Sequence, residues 1–172
     1  IGICAFSGCT NLTSITLPDS MTNIGLFAFE DCTNLSSVNI SDLDAWCRID
    51  FGNSKATPLC CGAALYVNGV EPTEIIFPDG MTSIKADTFY NLKSLKAITI
   101  PDGVTSIGST AFSGCTGLTS ITLPDSMKRI GMSAFENCTS LSSVNISDLD
   151  AWCGIDFFGS YDTPLCYGAA LY

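Results

Sequence analysis

The chain has 172 residues of which 47% are hydrophobic, ample for a core, and its low charge and high hydrophobicity are the opposite of a disordered composition. A formal net charge of −10, from 17 acidic and 7 basic residues, argues against nucleic acid and anionic membrane surfaces, because phosphate binding needs clustered Lys and Arg. There is no His, which excludes Ser-His-Asp and Cys-His catalysis, and no run approaches the length of a membrane span.

The opening stretch, 1–23, reads IGICAFSGCTNLTSITLPDSMTN, and nearly the same phrase returns as IGSTAFSGCTGLTSITLPDSMKR at 107–129. Looser versions start at Ile24, Ile84 and Ile130, so coils are expected to start near 1, 24, 84, 107 and 130. A fixed short period of this kind is the mark of a solenoid in which each coil touches only its neighbours. In the first unit Ile15, Thr16 and Leu17 alternate with the period of a short strand that buries one face. Pro18 has no N–H for a sheet ladder and ends the strand, and Asp19 opens a turn; Asp79, Asp102 and Asp125 follow a Pro in the same way. On the return limb Ile107-Gly108, Ala111-Phe112 and Cys115 recur in register from unit to unit, as inward columns would. The expected architecture is a right-handed, curved α/β repeat solenoid of parallel strands stacked about 4.8 Å apart.

A longer repeat lies over the short one. Residues 1–66 return as 107–172, with 51 of 66 positions identical. Each copy ends in a segment, about 41–70 and 147–172, that interrupts the 23-residue rhythm. Ser41 or Ser147 is placed to cap a short helix through LDAWC, with Asp44 or Asp150 completing a capping box and Trp46 or Trp152 facing the core. A strand at 63–67 and an Asn68-Gly69 hairpin turn follow, leading to the next coil at Thr73 to Phe77. The segment is read as a helix-plus-hairpin insertion that bulges from a single 172-residue solenoid without breaking it. Starting and stopping inside repeats, the chain reads as a piece of a larger protein.

The motif IGxxAFxxCxxLxxIxLPDS resembles the BspA-like leucine-rich repeats, also called the TpLRR class of bacterial surface proteins, over nearly the whole chain. ISDLDAWCxIDF with PLxxGAALYVNG is similar to an insertion that many such proteins carry. The resemblance implies a leucine-rich-repeat solenoid, a secreted or surface-anchored location, a role in adhesion, no cofactor and no catalytic residues. The unit at Ile84 departs from the pattern, with Lys85 in place of Gly, Thr88 in place of Ala and Leu92 in place of Cys.

Ten cysteines are the most tempting chemistry. Cys9, Cys32, Cys115 and Cys138 share one repeat position and are read as a buried column of small hydrophobes, because thiols bury readily and Leu92 fills the same slot. If any pair bridges, a spacing shared by both copies points to Cys47–Cys60 and Cys153–Cys166. Cys60-Cys61 is not a CxxC and lacks the spacing of a zinc site. Asp42, Asp44 and Asp50, or Asp148, Asp150 and Asp156, lack the twelve-residue loop that calcium favours. Neither metal nor cofactor is expected, and acids recurring at one turn position are structural, so no enzyme is expected either.

What remains is the outward face of the strands. Thr13, Ser14, Thr16, Lys96, Thr99, Thr119, Ser120 and Thr122 form a nearly uncharged hydroxyl surface, and Lys128 and Arg129 join Lys93 and Lys96 in two neighbouring coils as a patch for an acidic partner. The face is read as lacking the Trp, Tyr and Arg of tight hot spots. Weak multivalent attachment to a protein or glycan fits it, with a structural spacer or an accessory substrate-binding module of a larger enzyme as the alternatives. Open coil ends predict end-to-end self-association.

Overall fold

The structure, a computed structural model that describes residues 1–159 and 163–172, is a parallel-stranded solenoid wound around one continuous apolar core. Residues 160–162, which belong to the second helix-bearing segment, lie outside the described residues. Each coil contributes a strand to a main face, a two-residue strand to a second face, and a turn-rich return limb.

The main face begins with β1 (Ser14–Thr16), and β2 (Asn23–Ile24) starts the second face. β3 (Ser37–Ile40), helix α1 (Leu43–Cys47), β4 (Asp50–Phe51) and β5 (Ala64–Val67) follow. Then the two faces alternate through β6 (Glu74–Ile75), β7 (Ser83–Ile84), β8 (Ala97–Thr99), β9 (Ser106–Ile107), β10 (Ser120–Thr122) and β11 (Arg129–Ile130). β12 (Ser143–Asn145), helix α2 (Leu149–Cys153), β13 (Asp156–Phe157) and β14 (Ala170–Leu171) complete the chain. The main face splits into β1-β3-β5 and β14-β12-β10-β8-β6, and the second face into β2-β4 and β13-β11-β9-β7.

The inward columns are those the sequence points to. Ile24, Ala28, Phe29, Cys32, Leu35 and Val38 are buried in the second coil, and Ile107, Ala111, Phe112, Cys115, Leu118 and Ile121 hold the same places further on. Phe89, Phe112 and Phe135 stack with ring centroids 5.4 and 5.5 Å apart, an aromatic spine along the axis. Glycine follows the Ile because coils pass closest there. A Cβ on Gly131 would lie 2.6 Å from the Ser109 nitrogen.

The helix-bearing segments take part in the ladder. Ser37 pairs with Ser14 of the coil before it and with Ala64 of the coil after it. α1 therefore sits on a slightly longer coil, whose strands β4 and β5 continue both faces. The ladders then break between β5 and β6. Asn68 and Gly69, at φ 51° and 79°, turn the chain back so that Val70 pairs antiparallel with Val67. β6 thus opens a new sheet, although the core runs on beneath it. Lys85 is tolerated at this junction because β7 does not pair with β4; it reaches across to the Asp50 carboxylate (2.7 Å) and the Arg48 carbonyl (2.7 Å).

The helix cap differs from the sequence reading. Asp42 and Asp148, not Ser41 and Ser147, are the N-caps, and Asp42 Oδ1 accepts from the Asp44 N–H at 2.8 Å. Ser41 and Ser147 instead donate to Asp19 and Asp125 of the preceding coil, both at 2.7 Å. An extended residue one place later, φ −135° and ψ 116°, carries the cap in each case.

The return limb carries a third ladder, which the sequence pattern does not announce. Thr110, Phe112 and Gly114 donate their N–H groups to Met132, Ala134 and Glu136 of the next coil at 2.9, 2.9 and 2.7 Å. The limb reaches that geometry through two left-handed residues per coil. One slot holds Gly8, Asp31, Asn91, Gly114 and Asn137; the other holds Cys4, Phe27, Asp87, Thr110 and Ser133. The bonds between coils offset the strain of a left-handed non-glycine residue.

Candidate binding surface

On the main face, alternate residues point outward and align in rows. Ser14, Ser37 and Ala64 form one row of the three-stranded sheet, and Thr16, Asn39 and Tyr66 form the next. In the five-stranded sheet the rows are Glu74, Ala97, Ser120, Ser143 and Ala170, then Thr99, Thr122 and Asn145. The sequence reading of a face without aromatic side chains therefore needs correction. Tyr66 stands in the outer row beside Asn39, and its equivalent in the second copy, Tyr172, is 70% exposed. The signal is present in the sequence, since AALY keeps the period of two. Assigning that stretch to an insertion rather than to the sheet hides it.

The Ser and Thr side chains divide into two groups. At the entrance to β3, β10 and β12 the hydroxyl is spent on the fold. Thr119 Oγ1 donates to the Lys96 carbonyl at 2.9 Å, Ser36 to Thr13 at 3.0 Å, and Ser142 to Thr119 at 3.2 Å. Asn39 and Asn145 do the same further along the strand, donating to Ile15 and Ile121 at 3.4 and 3.3 Å. These bonds explain much of the Ser, Thr and Asn content, because each satisfies a carbonyl of the preceding coil. Among the described residues, Ser14, Thr16, Thr99, Ser120 and Thr122 form no side-chain hydrogen bond within the chain, leaving their hydroxyls to solvent or a partner.

The structure brings Thr99 and Thr122 together. Both line a shallow groove of about 420 Å³ with Pro101, Pro124 and Asn145, and Thr99 also borders one of about 410 Å³ with Glu74 and Ile76. Thr13, Ser14 and Thr16 lie on the side of the separate three-stranded sheet. The four cations are spread out. Lys93 and Lys96 precede β8 of the main face, while Arg129 lies in β11 on the second face, with Lys128 just before it. The Arg129 guanidinium sits 5.7 Å from the Phe158 ring centre, beside a groove of about 430 Å³ floored by Ser83, Ser106 and Gly108.

The cysteine column is packed and hydrogen-bonded. Cys32, Cys115 and Cys138 are fully buried, and their thiols donate to the carbonyls of Phe6, Phe89 and Phe112 at 3.1, 3.2 and 3.2 Å. Burial pushes the Cys138 thiol up to about 12 and the Cys115 thiol well above its ordinary value. Cys9, in the first coil, is exposed. No disulfide is formed among the described residues. The pairing of Cys47 with Cys60 is not what the structure shows: Cys47 is buried in α1, while Cys60 Sγ lies 3.5 Å from Cys61 Sγ. Cys153 and Cys166 likewise form no disulfide. Among the described residues no group of three or more His, Cys, Asp or Glu side chains is placed to hold a metal ion, and no helix is long and apolar enough to cross a membrane.

The model of the BspA type leucine rich repeat region matches residues 1–50 and 62–159 in six copies, so the chain belongs to that family. Among solved structures it is similar to a leucine rich cell surface protein from Faecalibacterium prausnitzii, at 27% identity over 83% of this chain and 34% of that one, TM-score 0.49. It is also similar to a leucine-rich repeat protein from Bacteroides ovatus, at 33% identity over 85% of this chain and 35% of that one, TM-score 0.49. A third is the T. pallidum leucine-rich repeat protein, at 28% identity over 84% of this chain and 50% of that one, TM-score 0.37. The chain spans about a third of the length of the first two. No curated protein matches it.

Proposed function

We propose that the chain is a non-enzymatic binding scaffold of a secreted or surface-anchored protein, which attaches to a protein or glycan through its main face. One observation carries this reading. Among the described residues, Ser14, Thr16, Thr99, Ser120 and Thr122 make no side-chain hydrogen bond within the chain, and Thr16 shares its row with Tyr66. Rows of hydroxyls with an occasional tyrosine suit many weak hydrogen bonds around an amphipathic ring, and such contacts gain strength when repeated along an array. Membership of the BspA-type family supports the surface location.

The test is a binding screen against matrix proteins and glycans, with Thr99→Lys/Thr122→Lys as the disrupted face. The reading expects a ligand whose binding this double variant weakens at least tenfold. A silent panel at high protein concentration, or binding indifferent to the double variant, would overturn it in favour of a spacer. We also propose end-to-end association of the isolated chain, since β1 and β14 are outermost strands and Ile1, Phe6 and Leu171 are only partly covered. A monomer at every concentration in sedimentation would contradict that.

A further inference from the structure

The two copies differ at a pair of neighbouring thiols. Cys60 and Cys61 stand side by side in the first copy, where the second has Cys166 and Tyr167. The pair lies in the tight turn after Pro58, with the Cys60 N–H bonded to Thr57 and the Gly62 N–H to Leu59. This turn brings both sulfurs to the same point. Cys60 Sγ and Cys61 Sγ lie 3.4 and 3.6 Å from the Phe29 carbonyl and 3.5 Å from each other. Both residues are partly exposed, and they line a cleft of about 190 Å³ with Glu30, Asp31, Lys55 and Tyr90.

We propose that Cys60 and Cys61 form a dithiol site that reduces small disulfides and closes a vicinal disulfide in doing so. The sulfurs must approach from 3.5 Å to about 2.05 Å, which closes an eight-membered ring through the Cys60–Cys61 peptide. The co-reactant is a low-molecular-weight disulfide such as cystine, which enters beside the Lys55–Glu30 ion pair that lines the cleft.

Burial first, and then the hydrogen bond with Cys61, push the Cys60 thiol up, which suits Cys60 to the second, resolving step. The first attack falls to Cys61. Its thiolate attacks one sulfur of the external disulfide, whose S–S bond breaks, and the first small thiolate leaves and takes up a proton. Cys60 then gives its proton to solvent and attacks Cys61 Sγ in the mixed disulfide, releasing the second small thiol. Two electrons pass from the Cys60–Cys61 pair to the small disulfide. The site is independent of whether the main face binds a partner.

Trypsin isolates the pair, because the fragment from Ala56 to Lys85 holds Cys60 and Cys61 and no other cysteine. The folded chain is incubated with cystine, alkylated in denaturant, digested without reduction and weighed by mass spectrometry. The expected fragment carries no alkyl group and is two hydrogens lighter than the reduced one. Cys61→Tyr, which restores the arrangement of the second copy, abolishes that species. The synthetic fragment alone closes more slowly than the folded chain. Three results would overturn the proposal: both thiols still alkylated, Cys61 joined to Cys32, or closure in the free fragment as fast as in the folded chain.

Discussion

The two copies, 1–66 and 107–172, are nearly one sequence in two settings. In the first, α1 buries Ala45, Trp46 and Cys47, and the Trp46 indole N–H donates to the Thr88 carbonyl of the next coil at 2.9 Å. In the second, α2 has the same five residues and buries none of them. The beginnings of the copies reverse the relation. Phe6 is partly covered and Cys9 exposed, whereas Phe112 and Cys115 are fully buried between neighbours. In a solenoid the sequence of a coil decides which side chains can be buried, and the adjacent coil decides whether they are.

The largest consequence concerns alkaline pH. Burial pushes Cys47 up to about 12, helped by Asp44 and Asp42, and Cys138 up to about 12. Between the ordinary thiol value of 9.0 and about 12 the unfolded chain has lost these protons while the folded chain holds them. The folded values are raised, so stability is present below pH 9 and is lost as pH climbs towards 12. Each such thiol removes about 1.4 kcal/mol per pH unit in that window. Denaturant melts from pH 8 to 11 should show the fall, and Cys47→Ala should flatten its slope.

Next come the spine phenylalanines. Phe112→Ala should cost about 3–5 kcal/mol, because its ring is clamped on both sides. Phe6→Ala, stacked only on Phe29 at 5.1 Å, should cost about half as much or less, read from urea midpoints. Equal losses would deny that neighbours set the burial. A smaller contrast separates the tryptophans. Trp46→Phe leaves the buried Thr88 carbonyl without its donor and should cost about 1–3 kcal/mol, while Trp152→Phe should stay within about 0.5 kcal/mol.

Much of this is legible in the sequence. The 23-residue period, the inward Ile, Ala-Phe and Cys columns and the Pro-Asp turns are repeated signals, and repetition makes them readable. Less regular features escape. The left-handed slot held by Gly8, Asp31, Asn91, Gly114 and Asn137 uses residues suited to it, so its pattern is open to a reading by residue type. The other slot, held by Cys4, Phe27, Asp87, Thr110 and Ser133, shows no common side chain, because bonds to the next coil impose its conformation. The sequence reading leaves Thr119 free to meet a partner, but its hydroxyl closes on the Lys96 carbonyl of the preceding coil, a contact that no local pattern records. Tyr66 escapes for another reason: AALY keeps the period of two, but reading the stretch as an insertion hides its pairing with β3.

Timed alkylation of Cys47 and Cys153 tests the central claim most directly, because both follow the same DAW triplet and differ in what stacks on their helices. With a small alkylating reagent on the folded chain, followed by fragment mass spectrometry, the account predicts that Cys153 is modified promptly and Cys47 only at the rate of unfolding. Equal rates at the two positions would contradict it.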